Sequence, residues 1–207
     1  MCTELKILSD FEDYYDNQSN NNGTIIYNRN FGESLSKAGA LKYIRSLGIP
    51  TIETQAVKEI APGVKRIVVY MDPKAHEGKG KQVMKRSDAL SYYGNYLASP
   101  YIESTNGLYI KMLQIGTRRF KLLLQHTNDG DLTTGRVLDI QELEPQLSSI
   151  VYPIFSIDYI PYNGMSVATD FNQVQKLVGL GIESILKPED VVLEIEKTLK
   201  IFKGLGD

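Results

Sequence analysis

Cysteine is almost missing from this chain. Cys2 is the only one, so no intramolecular disulfide can form and a thiolate metal cage is excluded. Such usage suits a reducing compartment, and the cytoplasm is the expected location. Histidine is nearly as scarce: His76 and His126 lie far apart and lack the helical spacing of a zinc motif, so they are not expected to ligate metal. An excess of either charge is lacking too. With 23 Lys and Arg against 25 Asp and Glu the formal charge is -2, which does not fit a chain whose main task is neutralising nucleic-acid phosphates. Nowhere do about eighteen apolar residues follow one another, and Met1 to Asp10 has no long apolar run behind a basic start. Neither a membrane span nor a secretory signal is expected, and no internal repeat is visible.

What remains is an ordinary globular composition, 42% hydrophobic and 23% charged over 207 residues, which suits one compact domain of two lobes. The tract Asn17 to Asn22 reads as a loop and Thr24 to Tyr27 as a strand. Leu35, Ala38, Leu41, Ile44 and Leu47 recur at three- and four-residue intervals between Lys37, Lys42 and Arg45. That spacing predicts an amphipathic helix, started by Ser34 or Ser36 and stopped by Gly48 and Pro50. Ile67 to Tyr70 reads as a short buried strand. Asp72 to Lys81, rich in glycine and lysine, reads as a cationic loop leading into a second strand.

Further along, Ser87 to Leu97 looks helical, and Tyr109 to Gly116 pairs as a hairpin with Phe120 to Gln125. The stretch Asn128 to Gln146 is polar, with a helix expected over Glu142 to Leu147. Tyr152 to Ile160 and Met165 to Phe171 read as strands around Asn163-Gly164, a strong hairpin signal. Pro188 suits a first helical turn, and Val191, Val192, Ile195, Leu199 and Phe202 form the apolar stripe of a closing helix.

The second of these hairpins carries the chemistry. Asp158 lies on one strand, and the partner strand bears Asp170 and, two residues on, Asn172, which a period of two puts on the face of Asp170. Three hard oxygen donors on one side of a sheet suit Mg²⁺ better than zinc. For an isolated pair of aspartates the commoner case is a pair of strand ends at turns. The neighbourhood decides between the two.

That neighbourhood resembles the ATP-grasp superfamily of carboxylate-amine ligases. YPIFSIDYIPYNGMSVATDFNQV is similar to the family's paired strands, with an Asp on the first and an acidic-x-Asn pair on the second; the family usually has Glu where Asp170 stands. LSKAGALKYIRSLGIPTIETQAV resembles the segment that places a phosphate-contacting lysine, here Lys37, at the start of a helix. RIVVYMDPKAHEGKGKQVMKRSDAL resembles a strand followed by a glycine-rich lid loop, with Tyr70 where the family typically has a nucleotide-binding lysine and with Lys74, Lys79 and Lys81 nearby. SPYIES looks like the hinge, where Ile102 and Glu103 would meet adenine and ribose, and Lys111 takes the place of the family's common arginine.

The resemblance implies an α+β fold of two lobes enclosing a nucleotide cleft. Residues 1–34 would be an N-terminal segment, the remnant of a domain that precedes this fold in the family, and residues 35–207 the ATP-grasp-like domain, with a lid lobe at about 60–102 and a C-terminal lobe at about 103–207. It implies ATP and Mg²⁺ as cofactors, with Asp158, Asp170 and Asn172 on the metal, and Lys37, Tyr70, Lys74, Lys79, Lys81, Ile102 and Glu103 around the nucleotide. Lys111 and Arg136 would serve catalysis, and Arg118, Arg119 and Arg136 are candidates for holding an anionic substrate. The implied reaction is activation of a carboxylate as an acyl phosphate and attack on it by an amine. The expected partners are therefore a nucleotide and carboxylate and amine substrates, a protein or peptide among the candidates, with homo-oligomerisation open and no membrane or nucleic acid. The competing expectation, supported by Tyr70, Lys111 and Asp170, is a non-catalytic nucleotide-binding or protein-interaction module; phosphoryl transfer alone is a third.

Overall fold

The computed structural model describes residues 36–72, 80–126, 135–150, 152–162, 164–172, 177 and 179–202. The expectations for residues 1–34, for the strand at Thr24 to Tyr27, and for Lys74, His76 and Lys79 fall outside these.

Two antiparallel sheets make the frame. Strands β1 (Gln55–Ala56), β2 (Arg66–Tyr70), β3 (Lys81–Lys85) and β4 (Leu97–Pro100) form a four-stranded sheet in the order β1-β4-β2-β3. Strands β5 (Leu108–Ile115), β6 (Arg118–Gln125), β7 (Arg136–Leu143), β8 (Ile154–Tyr162) and β9 (Met165–Asn172) form a five-stranded sheet in the order β7-β6-β5-β8-β9. The chain passes from the first sheet to the second through Tyr101 to Gly107.

The larger sheet is covered on both faces, as the apolar run at the start of β8 requires. Helix α1 (Lys37–Ser46) lays Ala40, Leu41 and Ile44 on Phe155, Ile157 and Phe171. After α2 (Arg86–Tyr93), which packs Ala89 onto the smaller sheet, helix α3 (Pro188–Phe202) sets Val191 and Ile195 against Leu113, Ile115, Phe120, Leu122 and Leu124. Alternation on β6 buries Phe120, Leu122 and Leu124 in a single row facing α3, each worth about 1.5–3 kcal/mol of burial. No helix among the described residues is long and apolar enough to cross a membrane.

The helix at Lys37 begins and ends where the sequence expects. Ser36 caps it, its Oγ accepting from Gly39 N at 3.3 Å, and Gly48 turns the chain out at φ 83°. Two expectations are corrected. The helix read over Ser87 to Leu97 stops at Tyr93, because Gly94 ends it and Leu97 joins β4 beside Ala56. The helix expected at Glu142 to Leu147 is absent: Glu142 and Leu143 end β7, which pairs with β6 from Arg119↔Leu143 to Gln125↔Arg136. As the outermost strand of its sheet, β7 buries little, and its apolar residues Val137, Leu138, Ile140 and Leu143 do not alternate strictly with the polar ones.

Candidate functional site

Register brings the charged residues into line. In the larger sheet Lys111 of β5 pairs with Asp158 of β8, and Asp158 with Asp170 of β9. Two residues along, Ser156 faces Asn172. Directly opposed residues share a face, so Lys111, Asp158, Asp170, Ser156 and Asn172 all point the same way. A β-bulge makes this possible: between Asp158↔Asp170 and Tyr159↔Ala168 one extra residue, Thr169, is left over on β9.

Three lysines from three elements close on the two acids. Lys111 Nζ lies 2.6 Å from Asp158 Oδ1 and donates to Ser156 Oγ at 3.3 Å. Lys37 Nζ, on the first residue of α1, lies 2.5 Å from Asp170 Oδ1 and also donates to the Thr169 carbonyl that the bulge exposes. Lys81 Nζ, on the first residue of β3, donates to Asp170 Oδ2 at 3.0 Å and so ties the smaller sheet to the larger. Three ammonium groups against two carboxylates leave one net positive charge, largely removed from water, since the lysine side chains are 5–14% exposed. A lysine in the first turn of a helix opposes the helix dipole, and here Asp170 supplies the missing negative charge.

Burial alone would push the Asp170 carboxyl up, but the ammonium groups of Lys37 and Lys81 outweigh it and hold the group well below the usual carboxylate range. Phe171 N also donates to Asp170 Oδ1, at 3.0 Å. Asn172 Nδ2 donates to Ser156 Oγ at 3.3 Å, which turns its amide along the same face.

Tyr70 stands at the end of β2 directly opposite Lys81. Its hydroxyl shares a 3.0 Å hydrogen bond with Ser99, and burial pushes its ionisation up to about 12, against the opposing effects of Ser99 and Lys81. It is a neutral ring beneath Lys37 Nζ, 5.8 Å from the centroid. The ammonium group on this side of the cleft therefore comes from β3, across the ladder from Tyr70. Ile102 packs half-buried in the segment between the sheets, and Glu103 beside it accepts from Arg66 at 2.9 Å.

Arg136 is not part of this cluster. It opens β7, exposed and opposite Gln125, two strands away from β5. Arg118 and Arg119 sit at the other end of the β5–β6 hairpin, where Arg118 forks onto Glu142 at 2.7 and 2.9 Å and Arg119 reaches Gln146 at 2.6 Å. They act there as pins of β7 and the chain that follows it. No motif marks Ser156, fully buried between Lys111 and Asn172, or the Thr169 carbonyl. Counting back from the Asn163-Gly164 turn pairs Asp158 with Thr169, and only the bulge shifts Asp170 and Asn172 into place.

Among the described residues no three His, Cys, Asp or Glu gather into a metal cage. The donor set nevertheless suits one hard cation shared with phosphate oxygens, since Asp158 and the Asn172 amide lie on one face and Lys111 engages a single oxygen of Asp158, Oδ1.

No protein-family model matches the chain, and no curated protein matches it by sequence. Solved structures do. The ATP-grasp ligase PsnB, solved with a minimal precursor, Mg and ADP, superposes with a TM-score of 0.50 at 11% identity over 78% of this chain and 59% of its own. The RimK domain protein ATP-grasp from Sphaerobacter thermophilus gives 0.49 at 15% identity, over 79% and 67%. D-alanine-D-alanine ligase from Bacillus anthracis, complexed with ATP, gives 0.48 at 12%, over 83% and 68%. The chain thus spans between 59% and 68% of the lengths of these three structures. With its two antiparallel sheets tied together through Lys81 and Asp170, and with the likeness to PsnB, the chain has the ATP-grasp fold.

Proposed function

We propose that this chain binds Mg-ATP between its two sheets and uses it to activate a carboxylate as an acyl phosphate, which an amine then attacks with release of phosphate. The observation that carries the reading is the convergence of Lys37, Lys81 and Lys111 on the Asp158–Asp170 row, with one net positive charge. A triphosphate is the polyanion that such a cluster suits, because phosphoryl transfer demands positioning and charge neutralisation and no protein nucleophile.

Lys37 and Lys81 hold phosphate oxygens. Of the residues expected on the metal, Asp158 and Asn172 would hold Mg²⁺, whose chemistry is to neutralise the charge that develops as the γ-phosphoryl group leaves. Lys111, fixed by Asp158 and Ser156, steadies that charge from the sheet floor. Tyr70 offers a ring rather than an ammonium group beneath the phosphates, while the backbone at Ile102 receives the base and Glu103 the ribose. Lys74 and Lys79, which lie in sequence between β2 and β3, add charge.

Titration of ATP with and without Mg²⁺ tests this reading. Binding should tighten about tenfold or more with Mg²⁺, and Asp158→Ala should abolish that difference. ADP release should require an added amine. Absence of ATP binding in either condition would end the proposal. One observation favours the second reading, a module that keeps the nucleotide without turning it over: the position at the end of β2 holds a buried tyrosine bonded to Ser99. ATP binding without amine-dependent ADP release would select it.

A further inference from the structure

Both oxygens of Asp170 are already engaged. Oδ1 meets Lys37 Nζ and accepts from Phe171 N at 3.0 Å, and Oδ2 accepts from Lys81. A carboxylate offers about four lone-pair sites, so three are in use. Each ammonium, by contrast, has donors to spare. Lys37 spends one on Asp170 and one on the Thr169 carbonyl, Lys81 spends one on Asp170, and every ammonium carries three. The unspent donors are the ones a phosphate could take.

The two lysines come from different lobes, α1 and β3, and would repel each other if nothing lay between them. The carboxylate between them is what allows two positive charges to stay a few ångströms apart in a site shielded from water. A divalent cation approaching Asp170 would face both ammonium groups at once. Asp158 has one lysine and Asp170 has two, so the burden of repulsion falls on the second acid.

We propose that Asp170 is a positioning residue for anion binding: it holds Lys37 and Lys81 together as a phosphate clamp and leaves the metal to Asp158 and Asn172. The inference rests on the nucleotide-binding reading above and departs from the expectation that Asp170 ligates Mg²⁺. It makes the clamp work without metal, because the lysines are organised by the protein itself.

The two roles for Asp170 predict opposite signs, which can be read as affinity for ATP in excess EDTA. If Asp170 organises the lysines, Asp170→Asn weakens metal-free ATP binding by about tenfold, since the ammonium groups spread apart. If Asp170 is a metal ligand, the same change removes a negative charge facing the phosphates, leaves metal-free binding equal or tighter, and abolishes only the gain from Mg²⁺. Asp170→Glu, which keeps the charge, should hold metal-free affinity within about threefold of the wild type. Lys81→Met should cost as much as Asp170→Asn, and the double variant should cost little more than either, because both break one unit. Should Asp170→Asn fail to fold, as judged by circular dichroism, the Glu and Met variants decide the matter; Lys81→Met binding as tightly as wild type overturns the proposal. Inorganic tripolyphosphate, titrated in parallel, separates this inference from the wider reading. Binding of tripolyphosphate but not ATP sinks the nucleotide assignment and leaves the clamp, whereas binding of neither sinks both.

Discussion

Asp170 shows how a single side chain can link folding to acidity. Its carboxyl titrates below the usual carboxylate range in the folded protein because Lys37 and Lys81 prevail over the effect of burial. A group whose folded value is depressed adds stability that is fully present above its unfolded value, about 3.9, and is lost as the pH falls through the folded one. Denaturant unfolding of wild type and Asp170→Asn should therefore differ by a constant amount from about pH 5 upward, with the difference shrinking progressively as the pH falls below about 4. If the difference were the same at pH 3 as at pH 7, the ion pairs with Lys37 and Lys81 would not be its source. Tyr70, neutral until pH about 12, adds nothing to this dependence in the neutral range.

At the scale of elements, the turn between β5 and β6 decides how α3 sits on the larger sheet. Gly116 has φ 60°, and a Cβ there would lie 2.6 Å from the Glu194 carbonyl and 2.8 Å from Thr198 Oγ1. Thr117 beside it donates twice to Glu194 Oε2, at 3.3 and 2.8 Å. Gly116→Ala should cost about 2–4 kcal/mol, seen as a lowered midpoint of thermal unfolding, because it adds backbone strain to a clash with backbone that has little room to move. Gly48→Ala, where nothing lies within 4 Å, isolates the conformational part of that cost. The elements the sequence made legible share a trait: each has a strong punctuator at its end, such as Gly48 after α1, Gly116 between β5 and β6, and Pro188 at the head of α3. Arg136–Leu143 is bracketed by Gly135 and Pro145 as well, but it lies on an edge and its apolar residues fall out of strict alternation, which hid it. The Lys37 helix and the Asp158 hairpin could be read from period and turn chemistry, whereas Ser156 opposite Asn172 depended on an irregular pairing that no periodicity encodes.

Across the whole molecule, the site is where the two sheets meet, through Lys81 on Asp170 and Lys37 over Tyr70. A ligand held there engages residues from α1, β3, β5, β8 and β9 together. Mg-ATP at about a hundred times its dissociation constant should add about 2.7 kcal/mol to stability. For a chain of this size that corresponds to a rise of roughly 5–10 °C in the unfolding midpoint, measurable by calorimetry, and no rise at saturating nucleotide would count against the nucleotide assignment. On its outer side β9 is flanked by the chain leaving α1, with Ala168 N donating to Pro50 O at 2.8 Å and Ile52 N to Ala168 O at 2.9 Å. That seam puts the helix bearing Lys37 and the strand bearing Asp170 on one support. The leftover residue at Thr169 has a practical corollary. Because the offset arises four rungs below the tip, where Tyr162 and Met165 stand open to solvent, alignment of the acids is insulated from the sequence of the tip itself. Roughly 14 Å of ladder separates the two, which makes the tip a handle for a reporter group or a graft that leaves the charged row undisturbed.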